Sequence, residues 1–382
     1  DLGLWRFDGW HKGDWGGIYF YNDERARTPW GGTRPDYGRD PVRRYIRDNA
    51  LMWLTEYHVD GLRWNMTLYI RTVDGDPGDA TGELPDGWSL MQWANEEVKA
   101  RMPGNIVIAE DLRGERWITK DVGVGGAGFD SQWSAQFAHR LRHPIVSADD
   151  DQRDMEAVRR ALEERFEGDA FNRVVYVESH DEVANGKARV AHEIWPGHSR
   201  SWFVKKRSTL AAALVMTAPG IPMLFQGQEF LEEKWFHDQD PLDWQRAEQL
   251  EGIFSLYRDL IALRRNQGGT TRGLTGQHLN VYHVNDRAKV VAYHRWEEGG
   301  TGDDVVVVAN FRNETFEDYA VGLPRGGLWS LRFDSHGAAY DDAYEGQVSE
   351  DVEAEEGEGD GLPRTGRVSL APYSAIILSQ DG

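Results

Sequence analysis

Three polar side chains follow apolar, strand-like segments of this sequence: Asn65, Glu110 and Asp181. Cleavage of a glycosidic bond with retention of configuration needs one carboxylate as nucleophile and one carboxylic acid as proton donor, roughly 5 Å apart. The apolar run Ile106–Ala109 before Glu110 favours a carboxyl group that keeps its proton, as a donor must. A second negative charge, such as that of Asp181, would stabilise an oxocarbenium-like transition state. These positions therefore predict a site for glycoside chemistry.

Two basic residues accompany these positions. Arg63 lies two residues before the first of them on the same predicted strand, so both side chains share one face and Arg63 can orient a carboxylate there. His180 immediately precedes Asp181 and is suited to bonding sugar hydroxyls. A structural alternative exists for each, because a strand-end acid is often a helix N-cap and His180-Asp181 can be a structural pair. Glu178 and Glu182 flank the pair, and we expect them to orient the loop rather than to catalyse.

Short buried strands alternate with helices around these residues. The predicted strands are 61–64, 105–110, 128–130, 173–177 and 221–225, and the predicted helices are 42–57 (with Asp40 as N-cap), 90–100, 154–166, 205–217 and 250–265. This alternation predicts a parallel sheet with crossover helices. Polar residues just past the carboxyl ends of the strands are typical of the rim of a (β/α)8 TIM barrel. Because about five strands are present instead of eight, we predict only the C-terminal part of a barrel, about strands 4–8.

The chain divides into three predicted regions. Residues 1–39 are rich in Gly, Asp, Pro and aromatic residues and are predicted to form a loop or insert region after barrel strand 3. Residues 40–267 form the barrel part. Residues 268–382 contain β-type runs separated by turns and predict a C-terminal antiparallel β-sandwich. The acidic, glycine-rich stretch 350–361 is expected to be a solvated loop.

Composition limits the classes of partner. With 43 basic and 64 acidic residues the net charge is −21, which repels nucleic acid and leaves a neutral substrate unaffected. The absence of cysteine excludes disulfides and thiolate metal sites and fits a reducing compartment, with cytoplasm slightly favoured. We find no apolar run of about 18 residues and no signal peptide, so no membrane partner is expected.

The sequence contains 16 Trp, and flat indole rings stack on sugar rings. The candidate sugar platforms on predicted rim loops are Trp30, Trp64, Trp133 and Trp235, and packing in the core is the alternative for each. Gln226 and Glu229, after the last predicted barrel strand, are candidate glucan contacts.

Three motifs resemble the signatures of the α-amylase family (glycoside hydrolase family 13). Asp60-Gly-Leu-Arg-Trp-Asn65 resembles the second signature, whose last Asp is the nucleophile. Val107-Ile-Ala-Glu-Asp111 resembles the third, whose Glu is the general acid/base, and Val177-Glu-Ser-His-Asp-Glu182 resembles the fourth, whose His-Asp pair binds sugar and stabilises the transition state. The resemblance continues through 129–133, 219–230 and the β-domain. It implies an enzyme acting on an α-glucan oligo- or polysaccharide.

The first family signature, at the end of barrel strand 3, is missing. Segments 19–23 and 28–31 resemble the insert that follows it in glucan branching enzymes and their amylase relatives. By this resemblance barrel strands 1–3 are absent, so we expect a complementary N-terminal segment or chain to supply them. Calcium is common in the family, but its usual ligands lie partly in the missing region. We therefore predict no metal and no cofactor.

Position 65 departs from the family pattern. An asparagine side chain is nearly isosteric with aspartate but is uncharged and a poor nucleophile, so glycosyl-enzyme formation should be lost or severely slowed. One explanation is a deliberate inactivating substitution that traps substrate, which the intact remaining signature residues favour. The other is a natural relative that only binds glucan.

The acceptor of the reaction distinguishes two enzymes within the family. Transfer to water gives an α-amylase, and transfer to a sugar 6-hydroxyl gives a 1,4-α-glucan branching enzyme. Ser179–Val183 with Gly186-Lys187 resembles the branching-enzyme form of the fourth signature, whereas Trp64 and Thr67–Arg71 are less typical of it. We expect the α-amylase type of hydrolysis, with branching as the alternative.

Overall fold

Residues 15–184, 187–345 and 349–382 are described by the computed structural model. Residues 1–14 of the predicted loop region and Gly186 of the fourth motif's extension lie outside them. The chain divides into two units. The first contains residues up to Ser134 together with Phe166–Gly168, and the second contains Ala135–Arg165 and Asp169–Gly382.

The first unit is built around parallel strands. These are β1 (Gly61–Trp64), β2 (Ile106–Ala109) and β3 (Ser131–Trp133), with helices α1 (Asp40–Thr55), α2 (Leu68–Arg71) and α3 (Pro85–Arg101). Gly61 pairs with Ile106 and Trp64 with Ala109, so β1 and β2 end together. Two parallel strands need a crossover connection, and α3 supplies it between β1 and β2.

Helix α1 begins one residue earlier than a start capped by Asp40 would require. Asp40 is its first helical residue, Arg39 occupies the N-cap position, and no side chain caps the helix. The predicted N-cap is therefore wrong, because the Asp40 carboxylate instead pairs with Arg44 Nε at 2.8 Å. Leu51 and Leu54 of α1 are buried and pack in one core with α3 and β2, which holds the helix against the sheet.

The second unit contains the remaining parallel strands, β4 (Arg173–Val175) and β5 (Ile221–Pro222), which pair through Val174 and Ile221. Its helices are α4 (Ala135–Val146), α5 (Met155–Glu163), α6 (Val190–Ile194), α7 (Trp202–Thr217), α8 (Gln245–Gln249) and α9 (Glu251–Arg264). Helix α7 is buried along most of its length. Such a helix needs apolar residues on several faces, and its Leu-Ala-Ala-Ala-Leu-Val run provides them.

The C-terminal part of the second unit is an antiparallel sheet. Its strands are β6 (His278–Asn285), β7 (Val290–Trp296), β8 (Val305–Asn310), β9 (Phe316–Leu323), β10 (Gly327–Asp334), β11 (Val352–Gly359), β12 (Leu362–Leu370) and β13 (Ser374–Ser379). Successive residues of a strand point to opposite faces. Val290 and Ala292 accordingly enter a core made by the strands alone, whereas Val291 and Tyr293 pack with α7 and α9.

The predicted fold class is confirmed, with local corrections. Five of the described strands are parallel and belong to the C-terminal part of a (β/α)8 barrel, and an all-β domain follows them. The prediction of a solvated loop at 350–361 is wrong, since β11 pairs with both β10 and β12. Val352 of β11 is buried, whereas the acidic side chains of this strand face water. The strand predicted at 128–130 lies three residues later, as β3.

Candidate active site

The end of β1 carries two side chains in direct contact. Arg63 is the third residue of the strand, and Asn65 follows its last residue. Arg63 Nη1 donates a hydrogen bond to Asn65 Oδ1 at 2.8 Å, a contact that the spacing of the two residues predicts. Asn65 is exposed, so a ligand can reach position 65.

Glu110 directly follows β2, and its side chain is only 2% exposed. Its Oε2 accepts a hydrogen bond from the Met66 backbone N–H at 2.8 Å and lies 2.7 Å from Arg63 Nη2. Met66 has a positive φ of 44°, which is uncommon for a residue other than glycine and tends to occur at functional sites. Arg63 therefore connects the side chains that follow β1 and β2.

Backbone hydrogen bonds continue past the two strand ends. The Glu110 N–H donates to the Trp64 carbonyl at 3.0 Å, and the Thr67 N–H donates to the Glu110 carbonyl at 2.9 Å. These bonds fix the main chain on both sides of Asn65 relative to Glu110. The two positions that the sequence assigns to nucleophile and acid/base thus lie on one rigid piece of structure.

A second ion pair lies beside Glu110 and was not found from the sequence. Asp111 is fully buried and receives two hydrogen bonds of 2.8 Å from Arg71 Nε and Nη2. Thr67 Oγ1 donates a third, at 3.3 Å. Such bidentate pairs fix geometry strongly. Asp111 directly follows Glu110 in the sequence, but its partner lies 40 residues earlier, and only the fold brings them together.

Two of the predicted sugar platforms are packed in the first unit. Trp133 is 8% exposed, and the Arg63 guanidinium lies 4.3 Å from its ring centroid, a cation–π contact. Trp64 meets Phe129 edge to face at 5.8 Å and joins the surrounding core. These contacts correspond to the packing alternative.

Other candidate contacts are accessible. Trp30 in the first unit is 54% exposed and touches Tyr69 edge to face. Trp235 in the second unit is also 54% exposed. Gln226 is exposed and Glu229 is half-buried in a short 3-10 helix. Their roles in binding stay predictions.

His180 and Asp181 belong to the second unit, in the turn that follows β4. His180 Nε2 lies 3.4 Å from Asp181 Oδ2, and the two side chains are 41% and 50% exposed. The pair is thus formed locally and both members are open to a ligand. Its catalytic and binding roles stay predictions.

The two glutamates that flank this pair are engaged with the scaffold. Glu178 is buried; it accepts a hydrogen bond from the Val190 N–H at 2.6 Å and pairs with Arg189 at 3.4 Å. Burial raises the pKa of Glu178, and the charge of Arg189 opposes that shift. These contacts fit the predicted loop-orienting role, because they tie the start of the turn to α6.

Glu182 anchors the other side of the turn. Its N–H donates to Ser179 Oγ at 3.2 Å, and its carboxylate contacts His139 at 3.2 Å and Lys187 at 3.4 Å. The hydrogen bond with His139, helped by the Lys187 charge, lowers the pKa of Glu182 to about 2, although burial opposes the shift. Glu182 therefore stays ionised over a wide pH range.

Within residues 15–184, 187–345 and 349–382 there is no cluster of three or more His, Asp or Glu side chains able to hold a metal ion. In the same part of the chain no helix has the length and apolarity needed to span a bilayer.

Comparisons with known proteins agree with the fold and the motifs. Residues 281–381 match the family model of the α-amylase C-terminal all-β domain. The 1,4-α-glucan branching enzyme GlgB 2 of Xanthomonas oryzae is 29% identical over 99% of this chain and 53% of its own length. The branching enzyme GlgB of Rhodospirillum rubrum is 29% identical over 100% of this chain and 51% of its own length. The chain thus spans about half the length of these relatives.

Solved structures support the same fold. A type I pullulanase from Bacillus subtilis, complexed with maltose, matches with a TM-score of 0.66 at 17% identity over 96% of this chain and 50% of its own. A pullulanase from Anoxybacillus, complexed with maltotriose, matches with a TM-score of 0.63 at 20% identity over 92% of this chain and 47% of its own. The shared architecture is a parallel β/α barrel part followed by a C-terminal β-domain. Together with the three motifs, the family-model match and the relatives support the α-amylase family, glycoside hydrolase family 13, for this chain.

Proposed function

We propose that this chain carries the later part of the catalytic domain of a glucan-transferring enzyme of the branching type. Such an enzyme cleaves an α-1,4-glucosidic bond with retention and passes the glucan to a sugar 6-hydroxyl. The observation that carries the proposal is the Arg63 guanidinium, which contacts Asn65 at 2.8 Å and Glu110 at 2.7 Å. This arrangement joins the two positions that retaining glycoside chemistry requires.

The proposed reaction has two balanced steps. A carboxylate at position 65 attacks the anomeric carbon while Glu110 gives its proton to the departing glycosidic oxygen, leaving a glycosyl ester. Glu110 then takes the proton of the acceptor hydroxyl as that oxygen attacks the same carbon and releases the carboxylate. Asp181 would add negative charge near the positively charged transition states, and His180 would bond sugar hydroxyls.

The relatives favour transfer over hydrolysis. Eight relatives, whose alignments cover 91% to 100% of this chain, carry the name 1,4-α-glucan branching enzyme. The sequence led us to expect α-amylase-type hydrolysis. We propose branching in its place, with hydrolysis as the second candidate, since the pullulanase matches support the fold only.

Asn65 should prevent the first step. Its carboxamide keeps the hydrogen bond from Arg63, but it has no negative charge with which to form an ester. We propose that the chain as it stands binds α-glucan and cleaves it roughly 10⁶-fold more slowly than its Asn65→Asp variant, the order of loss seen when a catalytic nucleophile is removed.

We also propose that a complementary segment completes the barrel. Helix α1 exposes Tyr45 at 73% and Trp53 at 42%, and Tyr57, just after the end of the helix, is 60% exposed. An apolar cleft of about 640 Å³ lies beside it, lined by Tyr19, Phe20, Pro35, Pro41, Val42, Tyr45 and Ile46. Among the described residues β1 lies at an edge of the sheet. Exposed apolar surface and an open strand edge both favour a covering segment.

Amylose assays test this function. The chain and its Asn65→Asp variant are incubated with amylose in the presence of the complementary barrel segment, and iodine absorbance and reducing ends are measured. Branching predicts that the Asn65→Asp variant shifts the iodine spectrum without a matching rise in reducing ends. A matching rise would instead establish hydrolysis. An inactive Asn65→Asp variant would contradict the enzyme proposal, and Asn65→Asp combined with Glu110→Gln serves as the inactive control.

A further inference from the structure

The first unit contains a second concave surface beside the candidate active site. This cleft, which we call the Trp88–Trp117 groove, has a volume of about 490 Å³, within the range of small-ligand sites. Its lining includes Arg71, Glu83, Trp88, Gln92, Glu115 and Trp117, and none of Arg63, Asn65 and Glu110. It therefore lies outside the reacting centre described above.

Both indole rings of the groove are held in place. Trp88 Nε1 donates a hydrogen bond to the Gly125 carbonyl at 3.3 Å, and Gln92 Nε2 donates to the Gly126 carbonyl at 2.8 Å. Trp117 is 37% exposed, while the Lys120 ammonium lies 4.1 Å from its ring centroid. Rigid, partly exposed rings lose little entropy when a flat apolar surface stacks on them.

The polar lining of the groove selects against anions. Glu83 and Glu115 place carboxylates on its wall, and the charge of Arg71 is already paired with Asp111. Carboxylate and amide oxygens accept hydrogen bonds from hydroxyl groups, and the indoles contact C–H surfaces. Neutral sugars offer both kinds of group, so their chemistry fits this lining.

Hydrogen bonds link the groove to the candidate active site. Arg71 lines the groove and donates two hydrogen bonds of 2.8 Å to the Asp111 carboxylate. Asp111 is the residue after Glu110, and Thr67, which bonds both of them, follows Asn65 by two residues. A glucan chain held in the groove would therefore be held relative to the strand ends that carry Asn65 and Glu110.

We propose that the Trp88–Trp117 groove is an additional binding site for a segment of α-1,4-glucan remote from the bond that is cleaved. This inference rests on the proposed function, because it takes the same polymer as ligand. The site would help to hold long chains and contribute nothing to maltose binding.

Hydroxyl-radical footprinting of the unmodified chain, with maltoheptaose as the probe, tests the groove directly. Oxidation of Trp88 and Trp117 is quantified by peptide mass spectrometry, and Trp195, which is 44% exposed in the second unit, is the reference. We expect saturating maltoheptaose to lower Trp117 oxidation at least threefold relative to Trp195, and the β-linked cellohexaose to leave it unchanged. Equal oxidation with and without maltoheptaose would overturn the proposal.

A variant gives a second, independent readout. Trp117→Ala should weaken maltoheptaose binding about three- to tenfold, as expected for one stacking contact, and Trp195→Ala should leave it unchanged. If Trp117→Ala bound maltoheptaose with unaltered affinity, the proposed binding site in the groove would be overturned. Branching by the Asn65→Asp variant without protection of Trp117 would reject the groove alone, whereas protection with an inactive Asn65→Asp variant would reject the enzyme proposal alone.

Discussion

Arg63 Nη2 lies 2.7 Å from Oε2 of Glu110, a carboxyl group whose side chain is 2% exposed. The same guanidinium bonds Asn65 and stacks on the Trp133 ring. One arginine thus orients position 65, neutralises a buried carboxylate and covers an indole. These three contacts explain the arginine in the motif Asp-Gly-x-Arg-x-Asx. A lysine has a single ammonium group and could not make all three at once.

Removal of Arg63 should strongly destabilise the protein. Arg63→Ala removes the cation 2.7 Å from the buried Glu110 carboxyl group, and breaking a buried ion pair typically costs about 3–5 kcal/mol. We expect the free energy of unfolding, measured in urea, to fall by about that amount.

A double-mutant cycle separates this effect from lost packing against Trp133. Glu110→Gln removes the charge that Arg63 neutralises, so Arg63→Ala should cost at least about 1 kcal/mol less in that background. Additive effects of the two substitutions would mean that the ion pair contributes nothing to stability.

Gly61 should not tolerate a side chain. A Cβ atom at this position would lie 2.4 Å from the Ile106 carbonyl oxygen on the paired strand, so the strands would have to separate. Gly61→Ala should lower the free energy of unfolding by roughly 1–3 kcal/mol or more. Gly104→Ala is the matched control, because its Cβ would meet no atom within 4 Å, and it should change stability by less than about 0.5 kcal/mol. Similar losses for both variants would refute this explanation of the motif glycine.

Lys206 should make stability depend on pH. It is buried in α7, with Nζ 3.1 Å from His336 Nδ1 and 4.8 Å from the Tyr344 ring centroid. Burial lowers the pKa of Lys206 to about 7, with Asp334 opposing. The unfolded chain keeps this proton up to about pH 10. Between these values it binds more protons than the folded chain, so the free energy of unfolding should rise with pH.

Urea unfolding between about pH 7.5 and 9.5 measures this slope, which for one group is at most about 1.4 kcal/mol per pH unit. This pH range lies below the one in which ionisation of buried tyrosines would make the free energy of unfolding fall as pH rises. Lys206→Met should flatten the slope, whereas Lys99→Met, at a lysine that is 41% exposed, should leave it unchanged. A slope that persists in Lys206→Met would show that another group is responsible.

The sequence predicted the parts of the molecule that follow a local rule. Strand-end positions, the shared face of Arg63 and Asn65, and the alternation of strands and helices all depend on near neighbours in the chain. The three motifs also agree with the family found by comparison. These features could be predicted because spacing alone determines which side chains share a face.

The errors arose where distant segments decide the structure. The acidic run that forms β11 is poor in typical strand residues, and only pairing with β10 and β12 makes it a strand. The Arg71–Asp111 pair spans 40 residues, so no local pattern indicates it. The contact of Arg63 with the Trp133 ring was likewise not predicted, and the role of Trp133 in sugar binding stays a prediction.

The identity of residue 65 is central to this account, and the glycosyl-enzyme tests it most directly. A fluorinated α-maltosyl fluoride whose covalent intermediate decays slowly is incubated with the chain and with its Asn65→Asp variant, both with the complementary barrel segment. Intact-mass spectrometry then measures the adduct. We predict one maltosyl adduct on the Asn65→Asp variant, in the peptide that contains residue 65, and none on the chain with Asn65. An adduct on the Asn65 chain, or none on either protein, would contradict the assignment of position 65 as the nucleophile.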